Sequence, residues 1–455
     1  MKKSLIKKLF SVTLTGVMAF ALIACGNNAE EAPAQNGNLE ENVAEEESKG
    51  EPSDSEEAGT GEGVTLEWQQ WWAVEAPEGY VQNMVDKYYE ETGVRVELLS
   101  APFADTKTQI ISGVSTGTVA DIVSVDGSWV YDFADQGVLT NMSTLMDATG
   151  FDKSLPASTW DVNGSTYAVP VLNFAYPMFA NQDILDECGV TELPKTWSDF
   201  EEVCQKIVDK GYYPYALNLD TSSPSGIQNV YMGFAWASDI KMKNDNGEFD
   251  VVNNPELKEY AEWIKSLNDK GYIYPGMSSL TETDMTSKFS SGNICFIINS
   301  AAAITAWRAD APDLNLTAAP IPVKDGFTGE SAMCVANWSL GITENSEHKE
   351  EAMKFIEWLL NADDGGVCAD LAVTQTAFPN STLAKPDYSN GDPVFQDVYA
   401  MYQSGYPYNE FTGMKEANTI MTDYIDELVT YMDGDTDVDT FMSNLQATLD
   451  EVYGK

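Results

Sequence analysis

The chain has 455 residues, 43% of them hydrophobic and 11% aromatic, and carries 72 acidic against 25 basic side chains for a formal net charge of −47. That charge excludes nucleic-acid partners, which need cations to displace counterions, and excludes attachment to anionic lipid through a basic patch. The length exceeds what a single ordinary core fills and predicts two lobes, for which the apolar content is ample.

Residues 1–24 begin with four lysines (Lys2, Lys3, Lys7, Lys8) and continue through an apolar run to Leu22-Ile23-Ala24-Cys25-Gly26. A charged start, a short apolar middle and a small-residue end predict a secretory signal peptide, and the run is too short for a comfortable spanning helix. Its ending resembles the bacterial lipobox, which implies acylation of Cys25 and a lipid anchor on the extracellular face of the cell membrane. Residues 26–63 hold no aromatic residue, and twelve acids face Lys49 alone. This stretch cannot bury enough to fold and repels itself. It is expected to tether the folded part, with a coil span of about 30–40 Å.

The folded part is expected from residue 64. Val64, Leu66 and Trp68 alternate as in a strand. Val81, Met84, Val85, Tyr88 and Tyr89 form the apolar stripe of a helix over 79–92, stopped by Gly93. Val94, Val96 and Leu98 predict a second strand, 105–116 a helix, and Asp121–Val125 a third, more buried strand. Strand and helix alternating in this way predict an α/β lobe with a mostly parallel sheet.

Further along, Thr196 is a plausible N-cap for a helix whose inner stripe is Trp197, Phe200, Val203, Cys204, Ile207 and Val208. Ile294–Ile298 reads as a buried strand after the turn Ser291-Gly292-Asn293. Ser346 is expected to cap a helix with Ala352, Phe355, Ile356, Leu359 and Leu360 inward, and 415–432 and 437–453 to be two closing helices. Cys188, Cys204, Cys295, Cys334 and Cys368 are scattered, without a C-x-x-C pair. They read mostly as small buried apolar residues, with a Cys188–Cys204 bridge left open.

The order of these segments over residues 64–455 resembles the extracellular solute-binding proteins of carbohydrate ABC importers, the maltose-binding-like family. The resemblance rests on the strand Val64–Trp72 ending in tryptophans, on Thr108–Gly113 followed by Ala120–Val123, on Tyr167–Pro170, on Ala180–Asp183, on the turn Leu193-Pro194-Lys195-Thr196-Trp197, and on the helix Glu350–Leu360. Two departures stand out. Ala120 replaces the usual proline, and Asn299-Ser300-Ala301-Ala302 stands where many relatives have a Gly-x-Trp that stacks on sugar.

The resemblance implies an α/β, two-lobed periplasmic-binding-protein-like fold with a ligand cleft between the lobes. About three hinge crossings are expected, near 170–174, 296–300 and 335–339. Lobe 1 is expected over 64–172 plus 298–336, and lobe 2 over 173–297 plus 337–455. It also implies a monomer without cofactor that captures a sugar or short oligosaccharide and delivers it to ABC permease subunits. A peptide or another polar solute stays open as cargo.

Chemistry read from the residues agrees with binding. The one histidine, His348, lies in a solvated first turn, so neither Ser-His-Asp nor Cys-His machinery is available. Glycoside hydrolysis needs only two placed carboxylates and remains the alternative class. Asp433, Asp435, Asp437 and Asp439 alternate as in a calcium loop, but Val438 and Asn444 stand where Gly and Glu belong. A polar turn with Asp437 near a helix N-cap is the simpler reading.

Sugars present apolar faces and a rim of hydroxyls, which flat rings and amides or carboxylates match. On that ground the candidates are Trp71, Trp72 and Glu75 after the first strand, and Asp126, Ser128 and Trp129 after the third. Asn173, Phe174 and Tyr176 follow the first crossing and Asp220 a later loop. Asn299 and Trp307, Asn337 and Trp338, and finally Tyr406, Tyr408 and Phe411 complete the set.

Overall fold

The computed structural model describes residues 63–329, 331–404 and 407–454. The expected signal peptide, Cys25, the acidic tether and Tyr406 lie outside the described residues. The strands are β1 (Thr65–Gln70), β2 (Arg95–Ser100), β3 (Ile122–Val125), β4 (Trp160–Val162), β5 (Ser165–Tyr176), β6 (Met178–Asn181), β7 (Tyr213–Tyr215), β8 (Ile294–Ile298), β9 (Leu316–Ala319), β10 (Met333–Ile342), β11 (Phe378–Pro379) and β12 (Pro407–Tyr408). They form two sheets. The eight-stranded sheet runs β11-β5-β10-β3-β1-β2, with β12 on β10 and β4 on β5, and the four-stranded sheet runs β7-β8-β6-β9.

Strand β1 pairs parallel with both β2 and β3, and the helices Tyr80–Thr92 and Phe103–Thr116 make the crossovers. The first of these buries Val81, Met84, Val85 and Tyr88 and stops at Gly93, whose φ of 75° suits glycine. Beyond this parallel core, β10 runs antiparallel to β3 and to β5. The fold is α/β and two-lobed, as expected, with more antiparallel pairing than the first three strands suggest.

Strand β5 belongs to the large sheet and β6 to the small one, so the chain changes sheet at Pro177. It changes again between β9, which pairs with β6, and β10. Pairing thus departs from the expected division: 316–319 joins the small sheet, although 298–336 was assigned to lobe 1, and 173–176, 337–342, 378–379 and 407–408 join the large sheet, although 173–297 and 337–455 were assigned to lobe 2. Short apolar strands suit either sheet, and only their partners decide. The expected passage near 335–339 falls inside β10, and near 296–300 the chain only touches the junction, through hydrogen bonds from Asn299 N to Pro177 O (3.3 Å) and from Ala301 N to Ala175 O (2.9 Å).

Thr196 closes a reciprocal cap with Asp199 over the helix Trp197–Asp209. Ser346 does not cap the next expected helix. His348 takes the N-cap position of Lys349–Thr374, and the Ser346 hydroxyl accepts from His348 N (3.0 Å) while donating to Asp121 (2.6 Å). The closing helices span Ala417–Met432 and Val438–Tyr453, and Asp437 caps the second by accepting from Thr440 N at 2.8 Å. Asp439 pairs with Lys258. No group of three or more acidic, histidine or cysteine side chains able to hold a metal occurs among the described residues. The five cysteines there are free thiols, so the bridge left open between Cys188 and Cys204 is not formed.

Candidate functional site

The parallel strands of the large sheet all point their carboxyl ends the same way, which is where open α/β sheets place a ligand crevice. Trp71 follows the end of β1, Pro102 and Phe103 the end of β2, and Asp126 the end of β3. The small sheet contributes in the same sense, with Asn299 after β8 and Ser222, Ser223 and Ser225 in the loop after β7. These residues line one cleft of about 670 Å³, completed by Glu75, Phe174, Tyr176, Asn229, Glu282, Thr286, Asp310, Asn337 and Trp338, among others. The volume suits a small polar solute.

Aromatic rings make the large-lobe wall. Trp71 meets Phe103 edge-on at 5.1 Å and Trp338 at 6.5 Å, and Phe174 lies 5.1 Å from Trp338. Behind the wall stands a second layer. Trp72 stacks on Trp338 at 5.0 Å and 19°, and Trp129 stacks on Phe103 at 5.1 Å and 25°. Trp71 and Trp72 are adjacent in sequence, and only the first reaches the cleft. Trp72 opens the short helix Trp72–Glu75, which turns its indole back onto Trp68 at 4.9 Å.

Polar groups make the opposite wall and the floor. A π-helical turn, Ile227–Tyr231, delivers Asn229 to the floor and sets Gln228 beside Asp126. Asn229 donates to the Tyr176 hydroxyl (3.2 Å) and also hydrogen-bonds Glu282, while Gln228 accepts from Asn409 (3.2 Å) and hydrogen-bonds Asp126. Gly226 starts this turn, and a Cβ there would lie 1.9 Å from Asn218 O, so only glycine fits. Asn299 donates to Thr286 at 2.7 Å.

The acids of the cleft differ in their surroundings. Burial pushes the Asp126 carboxyl up, against hydrogen bonds from the Ser128 hydroxyl (2.6 Å) and amide (2.9 Å). Lys107, poised 5.7 Å over Trp129, also favours the charged form of Asp126. Burial likewise raises Glu282, against its bond with Asn229. Glu75 is exposed to the water of the cleft, although protein atoms crowd round it. That crowding, and then the charge of Glu282, pushes its carboxyl up to about 8, and water entering the open cleft limits the rise.

Of the residues expected at the site, the cleft gathers Trp71, Glu75, Asp126, Phe174, Tyr176, Asn299, Asn337 and Trp338. The others support its walls or lie elsewhere. Trp72 and Trp129 form the layer behind the aromatic wall, and Ser128 holds Asp126. Asn173 accepts from Asn337 across the β5–β10 pair, and Asp220 accepts from Ser222 N at 2.8 Å. Trp307 is buried in the small lobe between Phe179 and Phe289, at 5.1 and 5.0 Å. Tyr408 and Phe411 pack on Trp236 at 5.6 and 6.3 Å.

Sequence reasoning missed Phe103, the serines at 222, 223 and 225, Asn229, Glu282 and Asp310. Phe103 carried a usable signal, since Ala101-Pro102 ends a strand just before it. Glu282 carried none. It sits inside a helix start, Thr281 capping Asp284, and nothing local tells a cleft-facing acid from a solvated one.

Comparison with known proteins agrees with this geometry. Residues 72–366 match the family described as bacterial extracellular solute-binding protein. A binding protein of Brucella abortus is 26% identical over 279 residues, covering 60% of this chain and 66% of that protein, so the chain matches just under two thirds of that relative's length. A maltooligosaccharide ABC transporter solute-binding lipoprotein of Streptococcus pneumoniae is 23% identical over 380 residues, covering 79% of this chain and 77% of that protein. Among solved structures, the GacH receptor of Streptomyces glaucescens, determined unliganded and with acarbose, superposes with a TM-score of 0.70 at 18% identity, covering 86% of this chain and 99% of that one. An ABC transporter solute-binding protein of Thermotoga lettingae bound with α-D-tagatose gives 0.71 at 18% identity, with the same coverage. Two α/β lobes, a cleft at the carboxyl ends of their strands and a family match over most of the folded part agree: the chain belongs to the bacterial extracellular solute-binding proteins.

Proposed function

We propose that this protein captures a sugar or short oligosaccharide in its cleft and delivers it to the permease subunits of an ABC importer. The observation that carries this reading is the composition of the cleft. Phe103 and the parts of Trp71, Phe174 and Trp338 that reach the cleft offer apolar surface on one side, and Asn229, Asn299, Glu282 and the serines at 222, 223 and 225 offer hydrogen-bonding groups on the other. A pyranose has both kinds of surface. The names of the relatives, a maltooligosaccharide binder and neighbours solved with acarbose or tagatose, support the same class. Ligand touching both lobes stabilises the closed arrangement over the open one.

The sites proposed from sequence divide accordingly. Trp71, Glu75, Asp126, Phe174, Tyr176, Asn299, Asn337 and Trp338 are proposed to touch solute, and Trp72, Ser128, Trp129 and Asn173 to hold those residues in place. Anchoring through an acylated Cys25, with residues 26–63 as tether, would hold the protein, as a monomer in this reading, at the extracellular face of the cell membrane. No helix among the described residues is long and apolar enough to cross a membrane.

Thermal-shift screening of the full chain against a glycan panel, followed by calorimetry on the hits, tests the reading. One-to-one saturable binding with the glycan recovered unchanged supports it, and a panel without any hit overturns it. One observation favours a second reading: Glu75 and Glu282 both line the cleft, and two carboxylates suffice for glycoside hydrolysis. Chromatography of the glycan after incubation separates the two, since a hydrolase shortens it.

A further inference from the structure

The charge of the cleft goes beyond what the proposed function specifies. Among the described residues its lining includes four carboxylates, Glu75, Asp126, Glu282 and Asp310, and no lysine, arginine or histidine. Asp126 is balanced in place by Ser128, Gln228 and the nearby Lys107. Glu75 and Glu282 are not. They come from different walls, Glu75 from the short helix after β1 and Glu282 from the helix Glu282–Ser290 beside the small sheet. The only described partner of the Glu282 carboxylate is the neutral amide of Asn229. The Glu75 carboxylate has no described hydrogen bond or ion pair, and the charge felt most strongly there is that of Glu282.

Closing the lobes on a solute removes water from both acids. An unpaired carboxylate taken out of water is strongly disfavoured, so with its carboxyl pushed up to about 8 Glu75 holds a proton at neutral pH unless a cation sits beside it and Glu282. A neutral hydroxyl supplies a hydrogen bond but leaves the charge uncompensated. An ammonium supplies charge-assisted hydrogen bonds, and the Phe103 and Trp338 rings that line the cleft attract a cation as readily as they cover a sugar ring. We propose that the solute is a saccharide bearing a positive charge, an amino sugar or an oligosaccharide containing one, with its ammonium group seated between Glu75 and Glu282. This rests on the cleft being a saccharide site.

The test uses the full chain in detergent at neutral pH and low salt. Calorimetry is run with pairs of sugars that differ only in hydroxyl against ammonium at one carbon: glucose and glucosamine, galactose and galactosamine, mannose and mannosamine, and their disaccharides. In every pair that binds, the amino form is expected to bind about tenfold tighter, the effect of one charge-assisted contact over a neutral one. Glu75→Gln and Glu282→Gln are each expected to reduce that preference to about twofold, read as the affinity ratio within each pair. Added salt weakens the amino form selectively, a readout on the unaltered chain that does not depend on either variant folding. Equal or tighter binding of the hydroxyl form overturns the proposal and leaves saccharide capture standing. If no sugar of these pairs or of the wider glycan panel binds, the saccharide site itself fails and the proposal with it. Spermidine binding tighter than any sugar also overturns it, since charge alone would then be what the cleft selects.

Discussion

Replacing Trp338 by alanine separates what the aromatic wall does for the fold from what it does for a ligand. The Trp338 side chain is 6% exposed, stacks on Trp72 at 5.0 Å and packs on Phe174 at 5.1 Å, with Trp71 edge-on at 6.5 Å. Each such ring pair contributes about 0.5–1.5 kcal/mol beyond burial, and truncating a buried tryptophan costs about 3–5 kcal/mol. The void in Trp338→Ala opens onto the cleft and admits water, so the lower end, about 3 kcal/mol, is expected. Saccharide affinity should fall about tenfold or more, because the central face of the wall is gone. Trp338→Phe keeps a smaller flat face and should lose about half of both. Trp72→Ala is the control: it is fully buried behind Trp338, so it should destabilise at least as much, yet weaken binding less than Trp338→Ala. Denaturant titration gives the stabilities and calorimetry the affinities. Affinity of Trp338→Ala within twofold of the unaltered chain, with stability lowered as expected, would refute the reasoning that this ring is a ligand platform.

Four further substitutions have outcomes set by their surroundings. Gly226→Ala places a Cβ 1.9 Å from Asn218 O and should cost about 3 kcal/mol or more, with loss of ligand affinity as Gln228 and Asn229 shift. Gly137→Ala, with φ of 69° and open space around it, should cost only about 1–2 kcal/mol by the same denaturant titration. Buried Glu410 accepts from Trp236 Nε1 (3.0 Å) and from the amides of Met242 and Lys243, and burial pushes its carboxyl up despite these bonds. A raised carboxyl contributes stability that is fully present below the ordinary glutamate range and is lost as pH rises through the raised value. Glu410→Gln should therefore flatten that part of the stability-against-pH curve, while lowering overall stability by about 1–3 kcal/mol because its amide NH₂ meets donors. Asp437→Ala removes the cap on Val438–Tyr453 and should cost about 1 kcal/mol. The unaltered cap weakens as pH falls through the lowered Asp437 value, which its bonds to Thr440 set.

Local periodicity made the elements legible. The stripe of Tyr80–Thr92, the Thr196–Asp199 cap and the strand Ile294–Ile298 all follow from residues within a few positions of one another, where side-chain spacing and hydrogen bonding act directly. The first cleft residue was legible for the same reason, because Trp71 ends a parallel strand and such ends face the crevice. Pairing was not legible. Leu316–Ala319 and Met333–Ile342 carry the same apolar character, and long-range partners alone sent the first to the small sheet and the second to the large one. The site shows the same limit. Trp71 and Trp72 read alike and both are buried, yet after the turn at Gln70 only Trp71 lines the cleft, while Trp72 packs on Trp68. Asn229 and Glu282 are ordinary polar residues until the π-helical turn and the helix Glu282–Ser290 bring them beside Tyr176 and opposite Glu75. What the chain encodes by itself is the sequence of helices and strands, since that depends on neighbours along the backbone. Which face of each lines the cleft depends on packing between segments hundreds of residues apart, and only the tertiary structure decides it.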